Sequence, residues 1–247
     1  MSTRERLDLL LVRRGLFPSR EQAQRAIMAG AVGTHGRRLD KPAEKLAEDT
    51  PIEIRERPRY VGRGGLKLEA ALAGFGIRPA EWICLDAGAS TGGFTDCLLQ
   101  HGAARVHAFD VGHGQLDWKI RSDPRVVVRE KFNVRHLRPE DVGEPIDLAV
   151  ADVSFISLTL ILPALCPTLT ASGMAVVLIK PQFELSARQV GKGGVVSDPA
   201  LHEAAVEKIR AFCEQSPATL GVRWAGVLPS PITGADGNRE FLAWMRK

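Results

Sequence analysis

A loop of small residues separates an apolar run from a helix-like run near the middle of the chain. The apolar run covers residues 82–85, Asp86 follows it, and residues 87–93 read Ala-Gly-Ala-Ser-Thr-Gly-Gly. The helix-like run extends from Phe94 to Leu99. Glycine lets a backbone approach a ligand closely and adopt a positive φ. This order of segments predicts a strand, a ligand-binding loop and a helix, with a purely structural turn as the alternative.

The composition of this loop favours S-adenosylmethionine over a nucleotide phosphate. A P-loop requires Gly-Lys-Ser/Thr at its end, and this loop lacks that sequence. The glycines after Gly88 do not follow the GxGxxG spacing. The amino-acid end of S-adenosylmethionine is zwitterionic, which suits a loop preceded by a carboxylate. Asp110 ends the next strand-like run, where an acid can accept both hydroxyls of a ribose or simply cap a turn. The predicted cofactor residues are Asp86, Gly88, Ala89, Ser90, Thr91, Gly92, Gly93, Phe94, Asp110, Val111 and Asn133.

Strand-like and helix-like runs alternate through residues 66–247. The strand-like runs are 82–87, 105–110, 125–130, 146–152, 174–180, 221–228 and 239–246, and the helix-like runs are 66–74, 93–101, 115–121, 157–171 and 199–214. Such alternation predicts a parallel sheet covered on both faces. The loop before the last strand is too short for a helix, which predicts an antiparallel hairpin. The predicted fold class is therefore α/β, a class I Rossmann-like methyltransferase with seven mostly parallel strands, the last antiparallel.

Residues 1–58 are predicted to form a separate small unit. Leucines at helical spacing predict one helix over Arg4–Arg14. Ser19, with Gln22 three residues later, predicts the start of a second helix that ends near Ala29.

Short strand-like pieces follow these helices at 31–34 and 51–55. The phrase Ala29-Gly30-Ala31-Val32 and the arginines on the helices resemble the αL RNA-binding domain, which occurs in a small-subunit ribosomal protein and in many pseudouridine synthases. Residues 59–65 are interpreted as a basic linker, and residues 66–247 as the methyltransferase domain.

The positive charge of the chain belongs to its N-terminal part. Residues 1–64 contain 14 Lys and Arg against 9 Asp and Glu, whereas residues 65–247 contain 19 against 20. This imbalance indicates a module that binds a polyanion, with an ordinary solvated basic face as the alternative. The residues predicted to contact RNA are Arg4, Arg6, Arg20, Arg38, Lys41 and Arg63.

Four charged residues fall at the ends of predicted elements. Asp152 and Lys180 end the fourth and fifth strands, Glu240 starts the last strand, and Lys67 lies in the first turn of the helix at 66–74. The carboxyl ends of parallel strands meet at one edge of a sheet, which places Asp152 and Lys180 near the cofactor loop. Pro181 disfavours the helical conformation for Lys180 and ends the strand at this point. The backbone conformation therefore sets the direction of the Lys180 side chain. A structural ion pair is the alternative.

Six segments resemble the TlyA family of ribosomal RNA 2′-O-methyltransferases, whose members are sometimes named hemolysins. The segments are 63–68, 86–95, 151–158, 179–184, 192–196 and 230–240. The methyltransferase domain is similar to that of FtsJ-type RNA methyltransferases, which use a Lys-Asp-Lys-Glu tetrad. The resemblance implies that Lys67, Asp152, Lys180 and Glu240 form this tetrad. Tyr60 departs from the family pattern, since it stands where a tryptophan is usual.

The resemblance implies S-adenosylmethionine-dependent methylation of a ribose, with cytidine of ribosomal RNA as the nucleotide. We assign Lys180 as the base, Asp152 and Glu240 as residues that orient it, and Lys67 as the residue that positions the hydroxyl. The two lysines in exchanged roles are the alternative. Ribosomal subunits are the expected partners, and the protein is expected to act as a cytoplasmic monomer.

The rest of the composition agrees with a cytoplasmic enzyme that needs no metal. No apolar run reaches the 18 residues of a membrane helix, and the charged N-terminus does not resemble a signal peptide. The four cysteines show no CxxC spacing and are interpreted as buried reduced thiols, and no His/Cys cluster indicates a metal.

Three other functions predict sequence features that differ from these. A non-catalytic RNA-binding or ribosome-assembly factor predicts damage to the tetrad or the loop, and a hemolysin predicts an amphipathic membrane segment or a signal. Neither feature is found in the sequence. Methylation of a base usually requires a Pro-Pro motif after the fourth strand, where this chain reads Asp152-Val153-Ser154-Phe155.

Overall fold

A computed structural model describes residues 4–28, 30–54, 59–234 and 236–247. Backbone contacts divide the chain into two compact units, residues 1–59 and 60–247. The structure differs from the predicted linker at 59–65. Tyr60 is buried in the second unit, and a helix of that unit begins at Gly64. The buried Tyr60 ring and the first turn of this helix therefore make most of the predicted linker a part of the second unit.

The described residues of the N-terminal unit form two helices and two small sheets. Its helices are α1 (Leu7–Arg13) and α2 (Arg20–Met28), and its strands are β1 (Arg4–Arg6), β2 (Val32–Thr34), β3 (Arg37–Arg38), β4 (Lys45–Ala47) and β5 (Glu53–Ile54). β1 pairs with β4, and the other sheet has the order β3-β2-β5. The core is a cluster of buried aliphatic side chains, Leu7, Leu10, Leu11, Ala23, Ile27, Val32, Leu39 and Leu46.

One predicted boundary in this unit is wrong. The helix predicted over Arg4–Arg14 begins only at Leu7, because residues 4–6 are extended and pair with β4. The start of α2 agrees with the prediction, since the backbone N–H of Gln22 donates to Ser19 Oγ at 3.3 Å.

The second unit is built on a seven-stranded sheet. Its strands are β6 (Ile83–Ala87), β7 (Arg105–Phe109), β8 (Val126–Arg129), β9 (Ile146–Ala151), β10 (Leu169–Ile179), β11 (Arg223–Pro229) and β12 (Phe241–Arg246). The order is β11-β12-β10-β9-β6-β7-β8. β12 runs antiparallel to both of its neighbours, and the pairs among β6 to β10 are parallel. The predicted fold class is confirmed.

Helices cover both faces of this sheet. They are α3 (Gly64–Phe75), α4 (Gly93–Gln100), α5 (Trp118–Arg121), α6 (Pro139–Val142), α7 (Leu162–Leu165), α8 (Pro181–Glu184), α9 (Pro199–Gln215) and α10 (Pro217–Leu220), with 3₁₀ turns at Val134–His136, Leu158–Leu160, Cys166–Thr168 and Lys192–Gly194. α3 and α4 pack on one apolar cluster, and α7 and α9 pack on another. Within the described part of the chain, no helix is long and apolar enough to span a membrane. All four cysteines are buried and free.

The helix predicted at 157–171 is wrong. The segment instead forms two 3₁₀ turns around α7, and β10 already begins at Leu169. Pro163 and Pro167 each occupy a first-turn position, where their missing N–H is tolerated. Neither proline could lie inside one continuous helix without breaking its hydrogen bonds.

Candidate active site

The carboxyl ends of the parallel strands surround two adjoining cavities. The smaller cavity, of about 220 Å³, is lined by Gly64, Gly88, Ala89, Ser90, Thr91, Gly93, Phe94, Asp152, Ser154 and Lys180. The larger cavity is about 440 Å³, and the predicted cofactor residues among its lining are Gly88, Ser90, Asp110, Val111 and Asn133. Asp152 and Ser154 belong to both linings. The structure therefore brings most of the predicted cofactor residues to the lysine at the end of β10.

The loop after β6 needs glycine at two positions. Gly88 has a φ of 86°, and a Cβ there would lie 2.6 Å from the backbone oxygen of Asp152. Gly92, which caps α4, has a φ of 95°, and its Cβ would lie 2.9 Å from Leu116 Cδ1. Gly92 is absent from the lining of either cavity. Its role in the structure is to turn the chain into α4.

Asp110 connects the cofactor loop to the loop after β7. Its two carboxylate oxygens accept the backbone N–H groups of Ser90 at 2.7 Å and Gly112 at 2.6 Å. Each oxygen keeps a further lone pair, so the carboxylate can still accept ribose hydroxyls from the cavity. Asn133 accepts the Arg135 N–H at 3.0 Å and thereby caps a 3₁₀ turn, and its amide also lines the larger cavity.

Asp86 lies beneath the loop instead of at the cavity surface. It is fully buried in β6, and one of its oxygens accepts the Thr95 hydroxyl at 2.6 Å. Its other oxygen has no hydrogen-bond partner. Burial raises the pKa of Asp86 to about 7. The structure thus indicates that Asp86 supports the loop through α4, in contrast to the direct contact with the cofactor that we expected.

We expect the stability of the wild-type protein relative to an Asp86→Asn variant to fall as pH rises. Between about pH 4 and 7 the unfolded carboxyl ionises while the folded one stays protonated. Folding therefore loses a few kcal/mol over this range and levels off above it. Urea unfolding of both proteins from pH 4 to 8 measures this difference. A gap that is constant with pH would contradict the raised pKa.

The four tetrad residues form one chain of ion pairs. Lys180 Nζ lies 2.6 Å from Asp152 Oδ1, and Lys67 Nζ lies 4.0 Å from Asp152 Oδ2. Lys67 Nζ also donates to Glu240 Oε2 at 2.5 Å. Lys67, Lys180 and Glu240 are buried, while Asp152 is partly exposed. Asp152 therefore bridges the two ammonium groups.

This geometry changes one expected role. Glu240 contacts Lys67, and no described contact joins it to Lys180, which we expected it to orient. The second partner of Lys180 is the Ser154 hydroxyl, at 2.8 Å, a residue that the sequence argument had not selected. Ser154 lies in the loop after β9, where only the three-dimensional path of the chain decides which side chains face the lysine. Gly64, which lines the smaller cavity, is also absent from the predicted site residues. A Cβ at this position would approach Phe94 to 3.2 Å.

The predicted RNA-binding residues of the N-terminal unit have different surroundings. Arg6 and Arg20 donate to the buried carboxylate of Asp8 at 3.0 and 2.9 Å, and the hydrogen bond from Arg6 is the main cause of a lowered pKa at Asp8. Arg6 and Arg20 therefore also have a structural role, because neutralising either would remove a partner from a buried charge. Arg4 and Lys41 are exposed.

The remaining two predicted RNA contacts lie on strand β3 and before α3. Arg38 is exposed on β3, with its guanidinium against Gly30. Arg63 belongs to the second unit, and its guanidinium donates to the backbone oxygen of Thr233 at 3.4 Å. Among the described residues, no three His, Cys, Asp or Glu side chains are grouped to hold a metal ion.

The fold and this site define a class I methyltransferase joined to a small RNA-binding unit. Residues 60–247 match the FtsJ-like methyltransferase family, and residues 5–52 match the S4 domain. The chain belongs to the TlyA family within the FtsJ-like methyltransferases. Its cofactor is S-adenosylmethionine, and the cavity residues fit this molecule, since Asp110 offers a carboxylate beside a glycine-containing loop.

Several relatives cover nearly the whole chain. The 16S/23S rRNA (cytidine-2′-O)-methyltransferase TlyA of Mycobacterium tuberculosis is 48% identical over 100% of this chain and 91% of its own length. Hemolysin A of Brachyspira hyodysenteriae is 44% identical over 96% and 98% of the two chains. A solved structure of a Streptococcus thermophilus protein named as a hemolysin has 47% identity and a TM-score of 0.75, and covers 100% of this chain and 90% of its own.

Proposed function

We propose that this protein transfers a methyl group to the 2′-hydroxyl of a cytidine ribose in ribosomal RNA. The single observation that carries the proposal is the Lys67–Asp152–Lys180 arrangement beside the cofactor loop. The names of the relatives supply the nucleotide, and the S4 match supports RNA as the substrate. All four tetrad side chains come from one chain, which supports action as a monomer. The rRNA in the names of the relatives supports ribosomal subunits in the cytoplasm as the place of action.

The protein must align the ribose hydroxyl with the methyl group and remove the proton of this hydroxyl. S-adenosylmethionine, when bound, supplies an electrophilic methyl group. A ribose hydroxyl is a poor nucleophile, so holding it in line and accepting its proton supplies much of the rate. Lys180 lines the smaller cavity, whereas Lys67 is absent from the lining of both cavities, so Lys180 is the better candidate for the base.

The ion pairs assign the other residues their roles. Asp152 orients Lys180 at 2.6 Å, and Glu240 holds Lys67 at 2.5 Å. A charge as deeply buried as Lys67 needs such a partner, since an isolated buried ammonium is unstable. In this arrangement Lys67 fixes the second oxygen of Asp152 and adds positive charge near the reacting oxygen.

Transfer of tritiated methyl to isolated 30S and 50S subunits and to naked RNA tests the proposal. We expect incorporation into subunits, and mass spectrometry of the digested RNA should place the methyl group on a cytidine ribose. A methylated base would refute ribose methylation, and no incorporation into any RNA would leave the non-catalytic assembly factor as the better account. Light scattering during chromatography measures the oligomeric state.

The N-terminal unit is proposed to supply RNA affinity without chemistry. We expect Lys41→Gln to reduce the dependence of subunit binding on salt by about one unit of the log–log slope, by analogy with DNA. Lys41 is exposed and its side chain is not among the described partners of Asp8, so its replacement should leave folding unchanged. Filter binding at several salt concentrations gives the slope.

Arg210→Gln is the matched control for Lys41→Gln. It also removes one exposed positive charge, but Arg210 lies on α9 and pairs with Glu214 at 3.0 Å. We expect its slope to equal that of the wild type. If deletion of residues 1–58 left subunit binding and its salt dependence intact, the N-terminal unit would not be the source of RNA affinity.

A further inference from the structure

The loop between β9 and the 3₁₀ turn at Leu158–Leu160 is held in a strained conformation. Phe155 has a φ of 62° although it carries a side chain, and the residue is 91% exposed. Such a conformation costs free energy and persists only where the surroundings enforce it. The residue before it, Ser154, places its hydroxyl 2.8 Å from Lys180 Nζ. The strain therefore coincides with the second hydrogen bond of Lys180.

A buried carboxylate fixes the far end of this loop. Glu184 Oε1 accepts the backbone N–H of Leu158 at 2.8 Å, and Oε2 accepts the Ser157 hydroxyl at 2.6 Å. Lys208 of α9 donates to the same Oε2 at 3.0 Å and to the backbone oxygen of Glu184 at 2.6 Å. The side chain of Glu184 is 1% exposed, so its charge needs the compensation that these partners provide.

Glu184 also belongs to the segment that carries the proposed base. It ends α8, the short helix that Pro181 begins directly after Lys180. In the same helix, the Phe183 ring lies beside the exposed Phe155 ring, with the two centroids 5.0 Å apart. At the near end, the Asp152 N–H donates to the backbone oxygen of Ala87 at 3.1 Å. The loop is thus fixed to the sheet at one end and to α8 at the other.

We propose that Glu184 is a positioning residue for methyl transfer, and this inference rests on the proposed function. By holding Ser157 and Leu158 against α8, it keeps Ser154 within hydrogen-bond distance of Lys180 Nζ. Asp152 and Ser154 then accept the two N–H bonds of the neutral amine, and its lone pair is left for the hydroxyl proton of the RNA. Glu184 itself does not line either cavity, so it acts through Ser154 and Lys180.

Single-turnover methyl transfer to isolated ribosomal subunits, with full-length enzyme in excess, tests this role. In Glu184→Gln one of the two oxygen positions becomes an NH2 group, which would face another donor, either the Leu158 N–H or the Lys208 ammonium. We expect the rate to fall about tenfold, with S-adenosylmethionine affinity unchanged by calorimetry. Ser154→Ala should have a similar effect, and the double variant should be no slower than the slower single variant.

The pH profile separates positioning from a general loss of packing. Loss of the Ser154 acceptor changes the hydrogen bonding of the reacting amine itself, so the rise of the rate with pH should be displaced, whereas a general loss of packing should leave it in place. Both single variants should show the same displacement. Independent effects, with the double variant about a hundredfold slower, or an unmoved profile in Glu184→Gln, would overturn the inference.

Glu144→Gln is the matched control. Glu144 is another carboxylate that joins two segments, since it accepts from Arg105 at 2.9 Å and His107 at 2.7 Å, but it precedes β9 at the opposite edge of the sheet. We expect lower stability with an unchanged rate and pH profile. If Glu184→Gln does not fold, Ser157→Ala removes one bond of the same set and should displace the profile in the same direction. Wild-type enzyme that transfers no methyl would refute the proposed function itself, whereas an active wild type with an unaltered Ser157→Ala would refute only the role of Glu184.

Discussion

Lys180→Ala should lower methyl transfer by about 10²–10⁴-fold, the usual contribution of a general base. S-adenosylmethionine and subunit binding should stay near normal, because the proposed role exists only along the reaction coordinate. Lys180 follows β10, is directed by Pro181 and pairs with Asp152 at 2.6 Å. Single-turnover rates, calorimetry with the cofactor and subunit binding measure the three quantities separately.

Lys180→Arg distinguishes a base from a fixed positive charge. A guanidinium keeps its proton near neutral pH, so we expect this variant to fail almost as badly as the alanine variant. Lys119→Ala is a control that also removes a lysine paired with a carboxylate, since Lys119 Nζ lies 3.0 Å from Asp96. It should keep a normal rate. A Lys180→Arg enzyme with the wild-type rate and pH profile would show that Lys180 only supplies charge, and the base would have to be sought elsewhere.

Gly88→Val should abolish S-adenosylmethionine binding that calorimetry can detect. The new Cβ would lie 2.6 Å from the backbone oxygen of Asp152, which cannot move without displacing the end of β9. The loop must shift instead, and the residues that line both cavities shift with it. A loss of about 2.8 kcal/mol in binding corresponds to a hundredfold weaker affinity, and we expect at least this change.

Gly143→Val is the matched control for Gly88→Val. The two glycines have nearly equal φ angles, 85° and 86°, but a Cβ at Gly143 meets no atom within 4 Å. Both variants therefore place valine at nearly the same unfavourable φ, and only Gly88→Val adds the steric clash. We expect Gly143→Val to be somewhat less stable than the wild type and to bind the cofactor normally. Equal cofactor affinity in a folded Gly88→Val protein would show that the site lies elsewhere.

The sequence was sufficient to predict which strand ends form the site. Asp110, Asp152 and Lys180 each follow an apolar strand, and parallel strands place such residues at one edge whatever the details of packing. Pro181 marks the end of β10 equally well, because a proline there is a local constraint. These features depend on short segments of chain and on one rule of topology.

The contacts within the site could not be predicted in the same way. The Glu240–Lys67 pair depends on the register of β12 and on the position of α3, which are set by packing far along the chain. Asp86 was assigned to the cofactor because it precedes the loop, but strand alternation turns its side chain toward Thr95. The helix predicted at 157–171 failed for a local reason, since Pro163 and Pro167 were visible signals against it.

The strand order of the sheet has a consequence for how the enzyme folds. β12 lies between β10 and β11, so β11 cannot join the sheet until the chain as far as Arg246 has been synthesised. The hydrogen bond between Lys67 and Glu240 joins residues 173 positions apart. Contacts of such large sequence separation form late, because the entropy of closing the chain must be lost first. Catalytic competence should therefore appear in refolding experiments after the parallel strands β6 to β10 have already protected their amides from hydrogen exchange.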